Sequence, residues 1–353
     1  MPAENRLQKL RERMLEGGVA ALLVTWPPNV RYLSGFTGEG QLVVGQEELL
    51  LSTDGRFKGE ASKALPGITT CFHENGHLAG AVECLKRLDP QSVGFESENL
   101  SYASYQTLSE KLGGRELKPT SKWVEQLRMV KEEEEVAAIR EAAAKVDTAL
   151  VDYVEHLQPG LTEQEMALDL ERALVLAGTE SAFPIIMASG PSAAQPHAVP
   201  GRRRLSEGEM LKIDLGRKVG GYCSDLTRTY FFGEPDEKFV EVYSLVFRAQ
   251  EAALAAVRPG LSGRDLDKVA RDIITEGGYG PQFSHGLGHG VGLQVHEGPR
   301  VSAKTEDTLA AGMVITVEPG IYIEGWGGVR IEDLVLITEG GGEVLSKAAK
   351  LRL

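Results

Sequence analysis

The sequence predicts an α/β N-terminal domain followed by an α+β domain built from two similar halves. Three observations predict it. Over the first ~120 residues, short apolar runs alternate with amphipathic stretches, the rhythm of strands and helices stacked in layers. A long helical pattern then crosses 131–157 and is stopped by Pro159-Gly160. Finally, Leu157-Gln-Pro-Gly-Leu-Thr162 and Val257-Arg-Pro-Gly-Leu-Ser262 stand 100 residues apart, each closing one helical pattern and opening another.

In chain order, strands are expected at 19–24, 41–44, 48–52 and 68–72, and helices near 4–16, 79–88 and 101–112. The domain boundary falls within 122–132 and is placed at 125/126, giving domains 1–125 and 126–353. The acidic run 132–135 sits where it caps the long helix at its positive end. Thr162 with Glu165 is a capping-box signature, and Ser262 with Asp265 is a looser version of it. Strand-rich stretches follow each helix pair, at 183–189, 210–216 and 222–232, then at 313–317 and 329–337. Pro-Gly is also common punctuation after helices, so the repeat supports the architecture without proving it.

The length of 353 residues suits two domains of roughly 150 each. Hydrophobic residues at 42% and charged residues at 25% describe an ordinary globular chain. With 38 Lys and Arg against 51 Asp and Glu, the net charge of −13 lacks the basic footprint of a nucleic-acid binder and disfavours anionic lipid. The longest near-apolar run, 19–26, falls short of the ~20 residues of a bilayer span, and the first residues lack the apolar centre of an export signal. Cys71, Cys84 and Cys223 form neither a CxxC pair nor a disulfide framework, so a reducing cytoplasm is expected.

Chemistry concentrates in three segments. In 212–230, an apolar strand carrying Asp214 turns near 218–221, and pairing positions that sum to 439 sets Asp214 opposite Asp225. Opposed carboxylates ~5 Å apart repel unless a cation lies between them, so either a metal binds there or one acid faces solvent on an edge strand. In 316–335, a turn centred on Gly325 pairs positions summing to 650 and sets Glu318 opposite Glu332, with Arg330 on the same strand face to hold a ligand carboxylate. Between them lies Ser284-His-Gly-Leu-Gly-His-Gly-Val-Gly-Leu-Gln-Val-His296, where Gly288, Gly290 and Gly292 alternate as a strand with one empty face and His289, Val291 and Leu293 share the other. His73-Glu-Asn-Gly-His77 matches a zinc pattern only nominally, because Asn75 and Gly76 weaken the helix it needs. A Walker A loop, a GxGxxG loop and a GxSxG elbow are all missing, which removes the usual support for nucleotide or serine-hydrolase chemistry.

The order Asp214, Asp225, His289, Glu318, Glu332, in the contexts IDLG, SDLTRT, HGLGHGVGL, VEPG and RIED, resembles the Xaa-Pro dipeptidases (prolidases) and aminopeptidases P. Asn29-Val-Arg-Tyr-Leu-Ser-Gly-Phe36 is similar to the N-terminal domain of that family and of creatinase, so the resemblance spans nearly the whole chain. It implies a pseudo-twofold pita-bread catalytic domain after the smaller α/β domain, usually in a homodimer. Methionine aminopeptidases generally lack such a first domain, and creatinases lack the full ligand set.

The resemblance further implies two divalent ions, a hard oxygen-rich set suiting Mn²⁺, with Co²⁺, Zn²⁺ or Fe²⁺ as alternatives. Asp214 would bind one ion, His289 and Glu318 the other, and Asp225 with Glu332 would bridge them. A hydroxide between the ions would attack the peptide bond preceding proline. Glu318 would shuttle the proton, His197, His285 and His296 would contact substrate, and Arg330 would orient a ligand. Arg300, in His296-Glu-Gly-Pro-Arg300, is a candidate clamp for the carboxylate of a dipeptide through bidentate pairing, or else a solvated loop residue. The alternatives are an aminopeptidase P acting on longer Xaa-Pro peptides, a catalytically dead binding protein on this fold, and another dinuclear hydrolase such as a phosphatase.

Overall fold

The computed structural model describes residues 2–351 and 353. They divide into two compact units after Arg128. The expected boundary at 125/126 lies inside the helix Trp123–Arg128, which belongs whole to the first unit.

The first unit runs α1 (Pro2–Glu16), β1 (Ala21–Val24), α2 (Pro27–Ser34), β2 (Gly40–Gly45), β3 (Leu49–Thr53), α3 (Lys58–Ala61), β4 (Thr69–Phe72), α4 (His77–Leu88), β5 (Ser92–Glu96), α5 (Tyr102–Leu112), β6 (Glu116–Thr120) and α6 (Trp123–Arg128). Its sheet has the order β4-β3-β2-β1-β5-β6, with β1, β2 and β3 antiparallel and the outer pairings parallel. Every residue of β1 is buried, as its unbroken apolar run requires of a central strand covered on both faces. Two strands escaped the apolar-run reading for physical reasons. β5 ends in the buried Glu96, and β6 contains Pro119, which the sheet edge tolerates because no partner needs its missing N–H.

Glu96 also explains Asn29. Its carboxylate accepts from the Thr25 and Trp26 amides at 2.6 and 2.8 Å, just ahead of α2, and from Asn29 Nδ2 at 2.6 Å. Asn29 in turn accepts from Arg128 Nη1 at 2.7 Å. α2 opens on Pro27-Pro28, where a missing N–H costs nothing, so the prolines begin this helix. The 29–36 stretch therefore builds the first unit. His73 and His77 lie after β4 and at the start of α4, off any shared helix face, with rings packed edge to face at 5.3 Å.

The second unit runs α7 (Glu133–His156), α8 (Glu163–Leu176), β7 (Glu180–Ser181), β8 (Ile186–Ser189), β9 (Glu209–Leu215), β10 (Arg217–Val219), β11 (Tyr222–Cys223), β12 (Leu226–Phe232), α9 (Glu237–Ala256), α10 (Gly263–Glu276), β13 (Gly288–Gly290), β14 (Glu297–Val301), β15 (Val314–Val317), β16 (Gly320–Ile323), β17 (Gly327–Arg330), β18 (Asp333–Thr338) and β19 (Gly341–Val344). Glu132 and Glu135 close a capping box on α7, and Thr162 and Glu165 close one on α8. Ser262 accepts from the Asp265 amide at 3.0 Å in the looser cap of α10.

The two halves repeat bond for bond. Gly160 N donates to Leu205 O at 2.8 Å, as Gly260 N does to Leu309 O at 2.8 Å, and Leu205 N and Leu309 N return bonds to Leu161 O and Leu261 O at 2.9 Å. Each helix pair packs on an antiparallel sheet, β12-β9-β8 in one half and β14-β13-β15-β18-β19 in the other. The acids singled out by sequence lie on or beside these two sheets.

Candidate metal centre

Asp214 is the last residue but one of β9, and Asp225 immediately precedes β12. The expected pairing of these two acids does not form. Asp214 stands opposite Thr227, and the strand pairs sum to 441 because the turn is Gly220-Gly221. Both glycines have positive φ, 55° and 83°, which is the demand of a two-residue hairpin turn that follows the strand twist. The slip is by two residues, so side chains keep their faces and Asp225 remains a diagonal neighbour of Asp214.

In the second half the expected register holds. Val317 pairs with Asp333 and Gly320 with Arg330, which sets Glu318 opposite Glu332. Both acids fall in the break between these ladders. There Glu332 N donates to Thr227 O of the other half at 3.1 Å, which brings the two acid pairs to one place.

β13 ends at Gly290, so the expected alternation of His289, Val291 and Leu293 along one strand face is not present. The close backbone approach that these glycines permit is present. A Cβ at Gly288 would lie 2.1 Å from Thr316 O, one at Gly290 2.0 Å from Gly298 O, and one at Gly292 2.3 Å from Glu297 Oε1. Gly290→Ala is therefore expected to destabilise by about 3 kcal/mol or more, because backbone cannot swing aside. Gly59→Ala, which meets nothing within 4 Å, serves as the neutral control in the same thermal melts.

His289 enters the centre with its tautomer set. Its Nδ1 lies 3.1 Å from Gly290 O, a pure acceptor, so Nδ1 carries a proton, while Nε2 donates to Glu318 at 3.3 Å, faces Asp225 at 3.6 Å and would give its lone pair to an ion on losing that proton. Thr316 Oγ1 accepts from the His289 amide at 3.1 Å and donates to Glu318 Oε1 at 3.0 Å. Asp225, His289 and Glu332 each offer a donor atom within 4.8 Å of the others. Thr227 Oγ1 donates to Glu332 at 2.7 Å and accepts from Arg330 Nε at 3.0 Å. Arg330 also grips Asp214 Oδ2.

The charge is poorly balanced. Burial, with repulsion from Glu332 and Asp214, pushes Asp225 well above the usual carboxylate range. Burial, with Glu318 and Asp214, does the same to Glu332, and burial raises Asp214. For Glu318 burial is outweighed by the His289 bond and the cationic groups around it, which hold it at about 2. Asp214 Oδ1 is buried without a hydrogen-bond partner, an orphaned acceptor aimed at no donor. Three buried carboxylates, the partly buried Glu318, one imidazole and one arginine fit divalent cations, which would satisfy the orphan and remove the repulsion.

The outlying residues fall around this centre. The His296 ring packs on His289 at 4.3 Å between centroids. His197 is exposed, and its charge bears on both His285 and His296. Arg300 stands directly opposite His289 in the β13–β14 ladder, hence on the same side, and its charge bears on His296. His285 differs from expectation. Its Nδ1 meets Gly286 O at 2.7 Å and its Nε2 meets the Tyr322 hydroxyl at 2.9 Å, so neither nitrogen is left to donate to a substrate. Sequence reading passed over Tyr322, which also accepts from Arg330 Nη1 at 2.8 Å, and over Thr227, Thr316 and the buried Lys212. The available signals were spacing to an acid: Lys212 stands two before Asp214, Thr227 two after Asp225, and Tyr322 four after Glu318.

Comparison with known proteins agrees with this geometry. Residues 137–339 match the model of metallopeptidase family M24, and residues 6–130 match the creatinase/prolidase N-terminal domain. The chain is 39% identical to an Xaa-Pro dipeptidase of Pyrococcus furiosus, over 98% of this chain and 99% of that one. Among solved structures it superposes on an Xaa-Pro dipeptidase from Bacillus anthracis with a TM-score of 0.95 and 38% identity, covering 99% of each chain. It also superposes on an X-Pro aminopeptidase from Thermotoga maritima with a TM-score of 0.89 and 35% identity, covering 97% of this chain and 98% of that one. The acid pairs, the imidazole between them and the repeated helix-sheet halves are thus those of a peptidase with divalent metal ions, and the chain belongs to metallopeptidase family M24.

Proposed function

We propose that this chain hydrolyses the bond preceding proline in Xaa-Pro dipeptides and that its centre holds two ions. The observation that carries this reading is the convergence of Asp214, Asp225, His289, Glu318 and Glu332 from both halves on one buried place. Asp214 would hold one ion, His289 and Glu318 the other, with Asp225 and Glu332 shared. When bound, such ions acidify a water and polarise a carbonyl. Glu318, ionised at neutral pH, accepts the proton of the attacking water and passes it to the proline nitrogen as that bond breaks. His296 and His197 offer N–H donors to the carbonyl oxygen as it gains charge, and His285 orients Tyr322 and through it Arg330. Mn²⁺ is the first choice of metal. Mn²⁺ and the homodimer enter this reading on the resemblance, and the cytoplasmic setting on the spacing of Cys71, Cys84 and Cys223.

The dipeptide preference rests on Arg300, whose guanidinium side faces the same way as His289 and suits a free carboxylate just beyond proline. An aminopeptidase would leave that side open. Met-Pro is therefore expected to show a higher kcat/KM than Met-Pro-Ala, and Arg300→Ala to raise KM about tenfold for the dipeptide while sparing the tripeptide. A clear preference for Met-Pro-Ala would move the chain to the aminopeptidase side.

A further inference from the structure

Lys212 is fully buried on β9, two residues from Asp214 and on the same strand face. A lysine almost never occupies such a place without a partner, and the groups Lys212 bonds are backbone carbonyls. Its Nζ donates to Ala193 O at 3.1 Å, Gln195 O at 2.6 Å and Pro196 O at 3.4 Å, and it lies 4.9 Å above the Tyr322 ring. Arg330 Nη1 reaches the same Pro196 carbonyl at 3.2 Å. Two basic side chains thus converge on the carbonyl immediately before His197. Beyond His197 the chain is caught again at Gly201, whose amide donates to Glu163 Oε2 at 3.1 Å and whose carbonyl accepts from the Gln164 amide at 3.0 Å. His197 therefore rides on a short irregular span tied at both ends, and the inner tie is made by side chains that also touch Asp214 and Tyr322.

We infer that Lys212 is a positioning residue for His197: with Arg330 it anchors the 193–196 carbonyls to the metal-bearing strand, so that the imidazole is held where the reacting carbonyl will be. The inference rests on the proposed role of His197. A compact terminal nitrogen whose N–H donors rotate freely suits a fan of carbonyls that a planar guanidinium or an apolar side chain does not match. Loss of the anchor leaves the donor in place chemically and loosens it geometrically, which lowers kcat more than it raises KM.

A double-mutant cycle on the holoenzyme with Met-Pro tests this, with bound metal measured in every sample. Lys212→Met is expected to lower kcat by about 10- to 100-fold at unchanged metal content. His197→Ala should lower it by about 100-fold. The double variant should be no slower than His197→Ala within about threefold, because an anchor has no effect once its load is gone. Lys212→Gln, which keeps two N–H donors on a shorter side chain and should fall between Lys212→Met and the parent, replaces Lys212→Met in the cycle if the latter does not fold. Multiplying effects in the double variant would overturn the inference alone. An unchanged rate in His197→Ala would overturn the role of His197 and the inference with it. Loss of metal at constant rate per bound metal would assign Lys212 to the metal centre and refute the anchor.

Discussion

Exhaustive chelation is expected to abolish Xaa-Pro peptidase activity, with Mn²⁺ or Co²⁺ restoring it, and Asp225→Asn is expected to cost at least ~10³-fold in kcat/KM even in excess metal. Asp225 faces His289 Nε2 at 3.6 Å and shares the centre with Glu332, so the amide removes a negative charge from the middle of the set. Full turnover by a sample shown to be metal-free would refute the assignment. The metal-free protein carries its own signature. Burial, with mutual repulsion, raises the carboxyls of Asp214, Asp225 and Glu332, and in His289 the Glu318 bond and charge outweigh burial and raise it too. Above the ordinary carboxylate range the native state therefore binds more protons than the unfolded chain, and stability falls as pH rises. Glu318, depressed to about 2, contributes the opposite slope only below its ordinary range; Lys212, lowered by burial to about 6, and His285 and His296, lowered by burial too, oppose the fall near neutral pH, so its size reports the balance in favour of the crowded acids. The Tm of chelated protein is expected to drop between about pH 5 and pH 8, and saturating Mn²⁺ to remove the drop, since metal replaces those protons. A Tm that rises with pH in the chelated sample would show that the acids are not crowded as described.

His296→Ala is expected to lower kcat by ~10² or more while leaving metal content nearly unchanged, the scale of losing a hydrogen-bond donor to a developing negative charge. The His296 ring packs on the His289 ring and is not itself placed among the acids, which separates its role from metal binding. Burial, with the neighbouring His289, lowers its proton affinity, so the neutral ring enters the reaction with one N–H to give. His285→Ala should behave differently. Both nitrogens of His285 are spent on Gly286 and Tyr322, so its removal acts by loosening Tyr322 and Arg330. Loss of metal in His296→Ala at an unaltered rate per bound metal would reassign His296 to the centre.

Much of this protein is a property of the chain read locally. The strands at β1 to β4, the capped helices α7, α8 and α10, and the repeat marked by the two Pro-Gly turns follow from apolar period, capping residues and turn chemistry, all of which act over a few positions. The four acids announce themselves, and His289 with them, because carboxylates in apolar strands carry a cost that only a partner removes. Composition likewise lacks the basic footprint expected of a nucleic-acid binder. Tertiary structure decided the rest, and in each case through a contact between residues far apart in the chain. The register of the first hairpin turned on which two glycines took positive φ, so Asp214 met Thr227 instead of Asp225. The glycines around His289 proved to be clearances for the backbones of 298 and 316, which no window on 284–296 contains. His285, read as a donor to substrate, is closed off by Tyr322, 37 residues away. Lys212 reads as one cation in an apolar strand until folding brings three carbonyls of 193–196 around it. Local pattern determines which faces are buried, whereas the identity of a buried polar group's partner depends on where the other half of the fold puts its own donors and acceptors.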